Sequence, residues 1–94
     1  MDAFDLDVLG RVSMDYEAVH TIRADLERDL GRSVPAEEIE SALVRLAAKG
    51  LVDPFVFDPA VGNYRKVDVA SLSPAELWFY ISSTGRSEYD RWVA

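Results

Sequence analysis

Residues 36–52 read AEEIESALVRLAAKGLV, and the reading of the fold turns on them. Ile39, Ala42, Leu43, Leu46 and Ala47 recur at three- and four-residue spacing, which places them on one side of a 3.6-residue helix. Glu37, Glu38, Glu40, Ser41, Arg45 and Lys49 fall on the other side. Strong helix formers dominate the segment. Acids open it, and Arg45 and Lys49 close it, the favourable order for the helix dipole. Pro35 suits a helix start, and Gly50 suits the left-handed residue past a helix end. Leu51 and Val52 then begin an apolar extended run.

Upstream, residues 15–30 predict an amphipathic helix with Asp15 as its N-cap and Tyr16, Val19, Ile22, Leu26 and Leu30 on the buried stripe. Gly31 ends it, and Arg32, Ser33, Val34 and Pro35 turn the chain into residues 36–52. Two helices joined by so short a turn are helix-turn-helix grammar. Before them, Phe4, Val8, Leu9 and Val12 predict a short first helix whose start, with Asp2 and Asp5, is solvated.

Downstream of Gly50 the apolar period becomes two. Residues 51–57 and 64–69 predict two strands of a hairpin with its tip at 58–63, DPAVGN. Pro54 is expected at an edge or a bulge. Ser73-Pro74-Ala75-Glu76 has capping-box form and predicts one helical turn. Residues 77–81, LWFYI, predict a strand with Leu77, Phe79 and Ile81 on one face and Trp78 and Tyr80 on the other. Ser82 is expected to cap a last helix that turns Tyr89, Trp92 and Val93 inward.

Composition narrows the function. The 94 residues fit one domain, residues 1–94, and 49% are apolar, an ordinary globular share. No apolar run nears the roughly 20 residues of a membrane span, and no secretory leader is legible, so a cytoplasmic location is expected. Cysteine is absent and His20 is the single histidine, so neither a zinc site nor a nucleophile–histidine pair is expected. Neither GNYRK nor STGR follows the phosphate-loop pattern, and no EF-hand spacing occurs. An enzyme is not expected, and no cofactor or metal. The net charge of −7 disfavours sequence-independent attraction to nucleic acid or anionic membranes.

The order of elements resembles a winged-helix domain. Leu43, Leu46, Gly50, Leu51 and Val52 resemble the L-x-x-L-x-x-x-G-L-V that ends a recognition helix in MarR- and PadR-like regulators. Ile81, Ser82, Gly85 and Arg86 resemble the L-T-x-x-G-R that closes their wing, with serine in place of the commoner threonine. The resemblance covers about residues 15–90, and residues 68–77 are longer than a minimal wing needs. It implies an α+β fold: a winged helix-turn-helix, with a three-helix core, a small antiparallel β-wing and a C-terminal helix.

It also implies DNA binding. The ridge Glu37, Ser41, Arg45 and Lys49 would face the major groove, and Arg32, Arg65 and Lys66 would meet phosphates. The DNA-contact candidates are therefore Arg32, Ser41, Arg45, Lys49, Arg65 and Lys66. Three acids near the start of the presumed recognition helix oppose its two bases, however, so Arg45 and Lys49 have a second reading as helix-end charge complements. A second function is a protein interface or homodimer through Trp78 and Tyr80, unless Tyr89 and Trp92 cover that face.

Overall fold

Apolar periodicity and strand pairing divide the described residues into four helices and four strands. The computed structural model describes residues 1–68 and 72–93. In chain order these are α1 (Ala3–Arg11), β1 (Glu17–Ala18), α2 (Val19–Leu30), α3 (Ala36–Ala48), β2 (Val52–Asp58), β3 (Asn63–Lys66), a 3-10 turn (Pro74–Glu76), β4 (Trp78–Ile81) and α4 (Ser83–Val93). The strands form one antiparallel sheet in the order β1-β4-β2-β3.

The core lies between α1, α2, α3 and one face of this sheet. Ile39, Ala42, Leu43 and Leu46 enter it from α3, as the helical period requires. Val8, Leu9 and Val12 meet them from α1, and Val19, Ile22 and Leu26 from α2. Leu77, Phe79 and Ile81 close the sheet side. Gly50, at φ +72°, turns the chain from α3 into β2.

Six local expectations are corrected. The helix expected over 15–30 begins only at Val19, because Glu17 and Ala18 pair with Phe79 and Trp78 of β4. Asp15 is therefore no N-cap, and Tyr16 leaves the helical stripe for the sheet. His20 is exposed and Leu30 half-exposed. Pro54 lies in an inner strand, not at an edge. Its carbonyl accepts from Val67 N–H, so its missing N–H would have faced the same side, where β3 has just ended at Lys66. Asp5 is buried rather than solvated. Trp92 and Val93 stay half-exposed on α4, while Tyr89 packs against Gly10 of α1. The returning strand is shorter than expected: β3 ends at Lys66, and Val69 lies outside the described residues.

Candidate nucleic-acid interface

The outward ridge of α3 borders an open cleft of about 470 Å³ lined by Phe4, Arg32, Glu37, Glu38, Ser41 and Arg45. Two features hold this cleft in shape. The turn before α3 is pinned where the Glu27 carboxylate accepts the Val34 backbone N–H at 2.8 Å, with Val34 itself fully buried. The other side of the cleft is set by Asp5 of α1. Arg45 Nε donates to Asp5 Oδ2 at 3.2 Å, and Nη2 donates to Oδ1 at 2.7 Å. The Asp5 side chain is only 3% exposed, whereas that of Arg45 is 47% exposed. Hydrogen bonding to Asp5 raises the guanidinium further above its ordinary pKa.

The six candidate DNA contacts do not converge into one basic stripe. Arg45 is spoken for by Asp5. Lys66 Nζ lies 3.2 Å from Asp53, and Arg65 lies 4.0 Å from Asp58, both cations remaining largely exposed. Arg32 and Lys49 make no ion pair among the described residues, and they flank the two ends of α3. Ser41 is exposed in the cleft between them. Exposed ion pairs of this kind contribute only about 0–1 kcal/mol, so Arg65 and Lys66 can exchange partners readily.

Trp78 and Tyr80 are half-buried, and Tyr80 also packs against the edge of the core. Tyr16 reaches across the sheet. Its ring stacks on Tyr64 at 4.0 Å and meets Phe55 and Tyr80 edge-on at 4.9 Å. Tyr64 in turn touches Phe57 and Trp78. The outer sheet face is thus a small second apolar cluster, and only Phe57 leaves it, 49% exposed.

No protein-family model matches this chain, and neither does any curated protein. Among solved structures, the chain superposes on Bacillus subtilis PadR in complex with operator DNA, with a TM-score of 0.71 at 17% identity. The match takes in 99% of this chain and 48% of that one, so the present chain spans about half of its length. The fold is a winged helix. Helix α3 is the third helix of this fold, and the β2–β3 hairpin is its wing.

The two winged-helix motifs read from the sequence meet in space. The Ser82 hydroxyl donates to the Gly50 carbonyl at 2.6 Å and accepts the Gly85 N–H at 2.9 Å. The Ser82 N–H donates to the Leu51 carbonyl, and Arg86 donates to the Ser13 carbonyl at the end of α1. These residues join the end of α3, the sheet and α4, and they hold the fold. Asp5 is the site residue that sequence reasoning missed. Its signal was present, because Asp5, Val8, Leu9 and Val12 share one face at helical spacing. Among the described residues no cluster of His, Cys, Asp or Glu could hold a metal, and no helix is long and apolar enough to cross a membrane.

Proposed function

We propose that this winged-helix domain binds duplex DNA as part of a transcription regulator, with α3 in the major groove and the β2–β3 hairpin against the backbone. The observation that carries this reading is the superposition of nearly the whole chain on a protein crystallised with its operator. The placement of Arg32 and Lys49 at the two ends of α3 supports it, since neither cation makes an ion pair among the described residues. Arg65 and Lys66 are exposed on the returning strand of the wing.

A salt titration of binding to duplex DNA, read by fluorescence anisotropy, tests it. Each phosphate contact contributes about 0.9 to the slope of log K against log salt. Replacing both Arg32 and Lys49 by alanine should flatten that slope by about 2 units. Replacing Arg65 and Lys66 should flatten it less, because Asp58 and Asp53 already neutralise them in part. Absence of binding even at low salt would falsify the reading.

A second reading is favoured by one observation, the aromatic cluster on the open sheet face. In it, Trp78, Tyr80 and the exposed Phe57 form a contact surface for a protein partner or a second copy of the chain. A strict monomer in sedimentation, with Phe57→Ser leaving solubility and mass unchanged, would remove the homodimer form of it.

A further inference from the structure

The cation nearest the centre of the recognition helix is held in an unusual way for a phosphate contact. A guanidinium carries five N–H donors. Asp5 takes two of them side-on, the Nε–H and one Nη2–H. Both Nη1 hydrogens and the second Nη2 hydrogen remain. Nη1 and Nη2 therefore still present a parallel pair of N–H groups at the far end of the side chain. We propose that Arg45 reads a guanine in the major groove with this end-on fork, and that buried Asp5 is the residue that positions it. The inference rests on the DNA-binding reading above.

The electrostatics of the cleft separate a base edge from a phosphate. Arg32 and Arg45 share the cleft with Glu37 and Glu38, and Asp5 lies behind Arg45. Asp5 already neutralises Arg45, so a phosphate gains little at Arg45, whereas Arg32, with no ion pair among the described residues, keeps its charge for one. The O6 and N7 of guanine are neutral acceptors that match two parallel donors. Rigidity points the same way. Arg45 is tied to a side chain contributed from 40 residues away, so its rotamer is fixed before any partner arrives. The pair also leaves the outer half of Arg45 in solvent, where it remains open to a further partner. Arg45 also lies on the ridge Glu37, Ser41, Arg45, four residues per step, the face a helix turns to the groove.

The test begins with selection of a preferred duplex from a randomised pool by the wild-type chain. Each guanine of that duplex is then replaced singly by 7-deazaguanine, which lacks the N7 acceptor. One such replacement should weaken wild-type binding at least about ten-fold. Arg45→Lys keeps the charge and loses the fork. It should lose most of the sensitivity at that same guanine, since one ammonium replaces two parallel donors, while its salt slope stays that of the wild type. Asp5→Asn, checked for folding by its thermal melt, should lose part of the sensitivity and steepen the slope by about one unit, as the released Arg45 swings to a phosphate. A purely structural Asp5–Arg45 staple would lower melting temperature without moving the base profile. If wild type binds DNA but selects no sequence, or no guanine is sensitive, or Arg45→Lys keeps the sensitivity, the proposal is overturned and DNA binding stands. If wild type binds no duplex, both fall together.

Discussion

A β-carbon added at Gly85 would sit 1.9 Å from the backbone oxygen of Leu51 and 2.9 Å from the Ile81 side chain. Backbone cannot retreat as a side-chain tip can, so Gly85→Ala should cost at least about 2–3 kcal/mol in denaturant unfolding. At Gly31 nothing lies within 4 Å, so there crowding is absent and only the left-handed φ resists substitution. Glu17 carries a different burden. Burial, followed by repulsion from Asp15 and Asp25, raises its pKa, against a smaller lowering by His20. A carboxyl whose folded pKa is raised costs stability only where it is ionised. The wild type should therefore lose stability as pH rises from the ordinary glutamate range through the raised value. Glu17→Gln should melt higher than wild type at neutral pH, and the two melting curves should converge in acid. The motif S-x-x-G-R marked Gly85 in the sequence, while the crowding around it is set by Leu51 and Ile81 in the fold. Asp5 was not read correctly, because its position beside Asp2 suggested helix-start solvation while its partner lay in α3.

Among the elements, α3 is fully legible: its apolar period, its early acids and the glycine after it all agree with the helix Ala36–Ala48. β1 is the opposite case. Two residues have no period, and they are a strand only because β4, about sixty residues later, pairs with them. The local pattern continued a helix back to Asp15, and sheet pairing overruled it. The consequence is that Tyr16 is free to lie over the sheet. It binds the edge strand β1 to Tyr64 on the opposite edge, so it fastens the wing to the body. Aromatic pairs of this kind contribute about 0.5–1.5 kcal/mol each beyond the area they bury. Tyr16→Ala should lower stability by roughly 2–3 kcal/mol. Amide exchange should quicken most in residues 59–67, whereas exchange in α3 should track the global loss. Equal acceleration everywhere would mean that Tyr16 does not anchor the wing.

For the whole molecule, the net charge of −7 was plain from composition, and its arrangement was not. Arg45, Arg65 and Lys66 each find their acid through tertiary structure or strand register, which no local spacing encodes. The junction of the two motifs was equally hidden, although each motif was visible alone. The last helix supplies Gly85 and Arg86 to that junction, so α1–α3 and the sheet are left open without it. A chain stopped after Ile81 should show no cooperative thermal transition, while the full chain should unfold in one step. Retention of a sharp transition by the shortened chain would show that α4 only decorates the fold.

The tie between Gly50 and Ser82 also sets a clock. Thirty-two residues separate the two partners, and 73 separate Arg86 from Ser13. At about 5–20 residues per second, a ribosome needs roughly 2–6 s to add the stretch between Gly50 and Ser82. Throughout that interval α3 has been translated while its clasp has not. The nascent helices therefore wait with their apolar faces open, and folding completes only once residues 82–86 have cleared the exit tunnel.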